Sequence, residues 1–297
     1  MSIIAYLGPE NTNTHLAAQA KFGRRSTYLH APTVDEVFHV VERQQAEYGV
    51  VPVENSLVGS VTGTLDRFID FVHSPVRIQG EIEQPISHHL ILHKSAKLAD
   101  VKVVFSHPQA LAQCSRWLDK HLHYAQRSET NSTAEAVHEV LNPRTMDTVI
   151  GNINRIGITR RIEGPKPVER AAIARPELAR GKKLRAITIP DERENKTRFL
   201  ILGLGEPKQG RANKTSILFA LKDRPGALHD ALVPFKHHRI NLTKIESRPS
   251  RRKAWEYLFF IDVEGHASEP RVRRALQGLE RSTSLIRILG SYPVASS

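Results

Sequence analysis

The residues best placed for chemistry are a hydroxyl, a permanent cation and an aromatic ring in succession. They are Thr197-Arg198-Phe199, where the polar Asn195-Lys196 enters the apolar run Phe199 to Leu202. A threonine hydroxyl both donates and accepts, and a guanidinium is a fixed, forked cation, so this entry suits a small anionic ligand. It suits an ordinary strand equally well, because Thr favours strands and Arg a solvated edge. Other polar clusters occupy comparable places. Glu54-Asn55-Ser56 follows the apolar Gly49 to Val53, and Ser106-His107-Pro108-Gln109 follows Val101 to Phe105, with Gln113 four residues beyond Gln109. Asn131-Ser132-Thr133 opens a further helical pattern. In open α/β sheets, ligands bind at the carboxyl ends of strands, where these side chains fall.

The elements that must position them read as strand-to-helix units. Ser2 to Leu7 is a compact apolar strand, followed by the loop Gly8 to Thr14 and a helix from His15 that ends before Gly23. Such a turn aims backbone N–H groups at an anion. Thr33 with Glu36, and Ser132 with Glu135, have capping-box spacing, and Pro108 fits the first position of a helix capped by Ser106 or His107. Two similar α/β segments with polar strand-to-helix turns predict two lobes around a cleft. Residues 142 to 170, punctuated by Gly and Pro, allow no regular assignment, and Leu184 to Ile189 reads as a strand returning to Thr197.

At 297 residues the prior is two domains; 40% apolar and 25% charged residues describe a soluble globular chain with no apolar run of membrane length. The N-terminus is already a strand, with no leader ahead of it, and the single Cys114 excludes an intrachain disulfide. A reducing cytoplasm is therefore expected. The charge of +12 is spread over short clusters and aromatics are 6%, so nucleic acid ranks lowest as a partner, while a dianion would be attracted. His88, His89 and His93 read as structural or surface residues, since a strand turns His88 and His89 to opposite faces.

After a polar linker from Gly203 to Asn213 the pattern becomes βαββαβ, which is ferredoxin-like. Lys222 to Leu228 forms its first strand-to-helix turn, with Gly226 free to take positive φ, and Glu246-Ser247-Arg248-Pro249 ends its second strand.

Gly8-Pro9, Val51 to Ser56, Ser106 to Gln109, Ser132-Thr133, Thr197 to Phe199, Gly226 to Leu228 and Glu246 to Pro249 stand in one order. In this the chain resembles the prephenate dehydratases that carry a C-terminal ACT regulatory domain. The resemblance implies an α/β fold: a two-lobed catalytic domain of the type II periplasmic-binding-protein kind plus a ferredoxin-like ACT domain. The boundaries expected are 1–205 for the catalytic domain (lobe 1 about 1–80 and 185–205, lobe 2 about 81–184) and 213–292 for ACT. Two departures stand out: where the family has Gly-Thr-aromatic-Ser, this chain has Asn11-Thr12-Asn13-Thr14, and the stretch Asn142 to Val168 is longer than usual and lacks an obvious family pattern.

The resemblance further implies decarboxylation and dehydration of prephenate to phenylpyruvate, without metal or cofactor. Thr197 would be the donor to the leaving hydroxyl, with Arg198, Glu54, Asn55, Ser106 and Gln113 as the other catalytic residues. Thr12, Thr14, Ser56, His107, Gln109, Ser132, Thr133 and Phe199 would contact substrate. Arg198 and the helix N-termini would take the carboxylates. L-Phenylalanine would bind as effector between two ACT domains at Gly226, Ala227, Leu228, Asn241, Leu242, Glu246, Ser247, Arg248 and Pro249, in a homodimer or homotetramer. Arogenate as substrate, or a non-catalytic amino-acid sensor, are the alternatives.

Overall fold

The computed structural model of the chain describes residues 2–141, 166–189, 195–250 and 256–295. Most of the stretch without a sequence assignment, 142–165, lies outside them.

The chain forms two compact units, Met1–Gln84 with Lys196–Ser297, and Pro85–Asn195. The first opens with β1 (Ile3–Leu7), α1 (Asn13–Phe22), β2 (Thr27–Ala31), α2 (Val34–Glu42), β3 (Tyr48–Asn55), β4 (Gly59–Ser60), α3 (Thr62–Asp70) and β5 (Arg77–Pro85). The second contains β6 (His89–His93), β7 (Val103–Ser106), α4 (Pro108–Gln113), α5 (Ser115–His121), β8 (Gln126–Glu129), α6 (Thr133–Leu141), β9 (Arg170–Ala174) and β10 (Leu184–Thr188). The chain then returns through β11 (Lys196–Gly203) to β12 (Asn213–Leu221), α7 (Ala227–His237), β13 (Leu242–Pro249), β14 (Tyr257–Glu264), α8 (Pro270–Ser282) and β15 (Thr283–Pro293).

In the first unit the sheet order is β2-β1-β3-β11-β5, so the returning strand β11 is central, antiparallel to β3. Strand β3 alternates little because both faces are covered, as a central strand requires. Helix α2 starts where its capping box predicts, with Thr33 Oγ1 accepting from Glu36 N at 3.2 Å. In the second unit the order is β10-β6-β9-β7-β8. Strand β10 pairs antiparallel with β6, so the expected return to lobe 1 at residue 185 comes later in the chain. Its backbone continues the second sheet's ladder, and only β11 joins the first sheet.

The C-terminal βαββαβ module has the order β13-β14-β12-β15, with α7 and α8 packed on one face around Phe219, Phe235, Ile261 and Leu279. Its other face is largely covered, with Glu246 and Arg248 part-buried at its edge. Leu218, Phe260, Leu289 and Tyr292 join one apolar core with Val53, Phe68, Ile78 and Leu200 of the preceding α/β sheet. Two arginines brace this junction. Arg287 donates to the carbonyls of Phe71, of Ser74 at 2.7 Å and of Val76 at 3.0 Å, while Arg77 donates to Ile288 O at 2.7 Å. A cation beside the last carbonyls of α3 is favourably placed against the helix dipole.

Candidate active site

Thr197 lies opposite Asn55 in the antiparallel ladder of β11 and β3. Asn55 Oδ1 accepts the backbone N–H groups of Leu57 (3.1 Å) and Val58 (3.2 Å). Those groups can only donate, which fixes the orientation of the amide. Asn55 Nδ2 therefore donates to Lys196 O at 3.2 Å and to Thr197 Oγ1 at 3.0 Å. Because Thr197 Oγ1 accepts from Asn55, its own proton is left to be donated elsewhere. Ser56 staples the same corner, its Oγ accepting from Lys196 N at 3.0 Å and its N–H donating to Lys196 O at 2.9 Å. Thr197, Asn55 and Ser56 are thus brought together as one rigid corner.

Arg198 and Glu54 are the next opposed pair, and side chains of successive strand residues point to opposite faces. Arg198 donates to Glu54 Oε2 (2.7 Å), Glu81 Oε2 (3.2 Å) and Asp262 Oδ2 (2.8 Å). The guanidinium expected to meet substrate carboxylates is thus committed to three of the protein's own. Burial opposes its charge, but Asp262 foremost, then Tyr292 and Glu81, raise its pKa above the ordinary arginine value. Burial likewise works against the charge of Glu54, yet Arg198 and Lys244 hold its carboxyl below the usual range. Phe199 is 1% exposed among Ile4, Tyr6, Ala17, Ala18 and Val50, where it supports α1.

The first loop is organised by His15. Thr12 caps α1, accepting from His15 N (3.4 Å) and donating to Leu7 O (3.3 Å), and Asn11 takes a positive φ of 63°. Asn11 N donates to His15 Nδ1 at 2.9 Å, and the ring stacks on Tyr6 at 4.4 Å. His15 and Thr14 are both buried, and no acidic side chain lies in the first turn of α1. Burial of His15 lowers its pKa, with Glu10 opposing. The folded state therefore stays neutral where an unfolded histidine, at about 6.5, takes up a proton. Stability is expected to fall as pH drops below about 6.5, through the lower folded value. A His15→Gln variant should lack that part of the acid limb in thermal melts across pH.

In the second unit, Ser106 is fully buried and its Oγ donates to Ile173 O at 2.7 Å. It is His107 that caps α4, its Nδ1 accepting from Gln109 N at 3.3 Å. Gln113 Oε1 accepts from Asn195 Nδ2 (3.2 Å) and faces His88 Nε2 at 2.7 Å, while its Nε2 has no partner among the described residues. Ser132 caps α6, accepting from Glu135 N at 3.0 Å, with Thr133 next in the chain.

The residues assigned to the effector divide. Gly226 (φ 76°), Ala227 and Leu228 line a cavity of about 660 Å³ with Lys222, Asp223 and Arg224. Alternation along β13 instead turns Glu246 and Arg248 toward the α/β sheet, where Glu246 accepts from Ser60 Oγ (2.9 Å) and Arg248 grips Asp66 at 3.0 and 3.1 Å. Ser247 and Pro249 are exposed, Leu242 is half-buried, and Asn241 Nδ2 donates to Glu264 Oε1 at 3.1 Å. Sequence reasoning missed Glu81, Lys214, Lys244 and Asp262. The available signal was a lone carboxylate inside the apolar strand Leu258 to Val263.

Fold and site together define an α/β enzyme of two sheet-based units carrying a ferredoxin-like regulatory module. Residues 4–207 match the family model "Prephenate dehydratase", and residues 215–281 match "ACT domain". The bifunctional chorismate mutase/prephenate dehydratase of Aquifex aeolicus is 44% identical over 98% of this chain and 74% of its own length. The prephenate dehydratase of Methanocaldococcus jannaschii is 37% identical over 88% of this chain and 86% of its own. A crystal structure of a prephenate dehydratase from Arthrobacter aurescens in complex with L-Phe superposes with a TM-score of 0.82 at 32% identity, covering 99% of this chain and 90% of that one. The chain belongs to the prephenate dehydratase family, whose members are lyases. No helix among the described residues is long and apolar enough to cross a membrane.

Proposed function

We propose that this chain converts prephenate to phenylpyruvate, and that L-phenylalanine bound to the ACT domain regulates the step. The ring-borne carboxylate leaves as carbon dioxide, the electrons of the broken C–C bond enter the ring, and the ring C–O bond breaks. The departing hydroxide takes up one proton, drawn in the net reaction from solvent, and leaves as water, and aromatisation drives the reaction. What the enzyme must supply is a hydrogen-bond donor at the leaving oxygen, anchors for two carboxylates, and a dry site.

The observation that carries the reading is the Asn55–Thr197 pair. An amide fixed by two backbone donors makes Thr197 Oγ1 an acceptor, so the threonine proton is available to the leaving oxygen. An ordinary Thr hydroxyl is a poor acid, so Thr197 contributes a hydrogen bond to developing negative charge rather than a full proton. The start of α1, with Thr12 and Thr14, suits one carboxylate, since its first turn carries no acidic side chain, although Glu10 just ahead of it acts against an anion there. For Gln113, whose Nε2 is unpartnered among the described residues, and for Gln109, His107, Ser132 and Thr133, a role as donors to substrate rests on the family resemblance alone.

For the effector, the cavity at Gly226–Leu228 offers Leu221, Tyr257 and Phe259 to an aromatic ring, Lys222 and Arg224 to a carboxylate, and Asp223 and Glu256 to an ammonium. An α-amino acid with an apolar side chain carries those three groups. Purified protein should form phenylpyruvate from prephenate, respond to L-phenylalanine, and prefer prephenate over arogenate in side-by-side turnover. Folded protein that binds L-phenylalanine but turns over neither substrate would instead be a sensor.

A further inference from the structure

We propose, on the prephenate reading above, that Arg198 is a positioning residue rather than a substrate clamp. Through it the ACT domain holds Thr197 and Asn55 in catalytic register.

The cluster around Arg198 draws equally on both domains. Glu54, Glu81 and Arg198 come from β3, β5 and β11; Lys214, Lys244 and Asp262 come from β12, β13 and β14. Lys214 Nζ lies 2.9 Å from Glu81 Oε2, and Lys244 Nζ lies 3.2 Å from Glu54 Oε1. Asp262 is oriented in turn, its Oδ1 accepting from Ser216 Oγ at 2.6 Å, and Ser216 Oγ lies 2.8 Å from the buried Tyr292 hydroxyl. Three acids and three bases balance in a site that is buried at Arg198 (10% exposed), Asp262 (10%) and Glu81 (2%) and opens to water at Glu54 (36%).

Two features tie this cluster to the active corner. Thr197 faces Asn55 and Arg198 faces Glu54 in successive ladder positions, so each catalytic residue shares a peptide unit with a cluster residue. The ladder register shifts between Arg198 and Phe199, a bulge of the kind that re-aims a strand's side chains. The hairpin beyond Asn55 is held from the same side, because Lys244 donates to Ser60 Oγ at 2.7 Å and Ser60 donates to Glu246. A shift of the ACT sheet thus moves both ends of the segment that sets the Asn55 amide. A buried ion cluster gives little stability over an apolar contact of the same size; here its role would be to hold the Arg198 guanidinium against Glu54, Glu81 and Asp262.

The test measures prephenate kinetics of Asp262→Asn, Ser216→Ala and Arg198→Lys beside the wild type, with L-phenylalanine binding followed separately by calorimetry. For Asp262→Asn and Arg198→Lys, kcat should fall about 10- to 100-fold, the scale of a misplaced catalytic group. KM should stay within about twofold, as when a transition-state interaction alone is lost. L-Phenylalanine should still bind Asp262→Asn without altering its turnover. Wild-type kcat and effector response in Asp262→Asn would overturn the proposal, as would an Arg198→Lys effect confined to KM. If Asp262→Asn does not fold, Ser216→Ala decides, with a several-fold lower kcat expected and an unchanged one contradicting the coupling. Should folded wild type prove inactive on prephenate, the prephenate reading fails by itself. Hydrogen exchange of residues 50–60 and 195–203 then judges the coupling, since unaltered protection in Ser216→Ala would refute it.

Discussion

Thr197→Ala is expected to lower kcat on prephenate by about 10²- to 10³-fold, the usual loss when one donor to developing oxyanion charge is removed. The protein should stay folded. The hydroxyl makes one hydrogen bond to Asn55 Nδ2, and that amide keeps Lys196 O as a second acceptor. The loss should cost about 1 kcal/mol, a few degrees in thermal midpoint. Thr197→Ser keeps the O–H and the Asn55 contact and should recover most of the turnover. KM should change little in either variant, because the donated hydrogen bond strengthens only as the C–O bond breaks. Retained turnover in Thr197→Ala, measured as phenylpyruvate formation, would remove the donor role and leave Asn55 and Thr197 as a structural staple.

How far this site was legible depended on the range of the interactions. Local devices were readable: the Thr33–Glu36 and Ser132–Glu135 caps are bonds across three residues, Pro108 takes the first position of α4, and each falls where its spacing predicts. The strands β2 and β8 were not recognised, because at the edges of their sheets they bury little and carry polar side chains without alternation. The environment of Arg198 was not readable either. Its partners Glu81 and Asp262 lie 117 and 64 residues away in sequence, and nothing in the Thr-Arg-Phe pattern signals them. The same applies to the second face of the ACT sheet. Its alternating apolar residues indicated a sheet, but not that Leu218, Phe260 and Tyr292 would be covered by the α/β core.

Gly290→Val is expected to have the largest effect on stability, because it strikes that shared core where backbone meets backbone. A Cβ on Gly290 would sit 2.3 Å from Ile78 O, 2.9 Å from Ile78 Cβ and 3.0 Å from Ile78 C. None of these atoms is the end of a flexible side chain, so strand β15 or β5 must move. Neither moves freely, since Arg77 bonds to Ile288 O and Arg287 bonds to Ser74 O and Val76 O on either side of the contact. Forced overpacking costs about 1–3 kcal/mol and more where backbone must shift, so Gly290→Ala should lower the thermal midpoint by several degrees and Gly290→Val by more. The displacement should also reach the active corner, because Tyr292, two residues on, contacts Ser216, which orients Asp262 beside Arg198. Turnover of Gly290→Ala, assayed well below its melting temperature, should therefore fall even where the protein remains folded. A Gly290→Val protein with the wild-type midpoint would mean that the two domains do not meet at this strand as closely as the geometry requires.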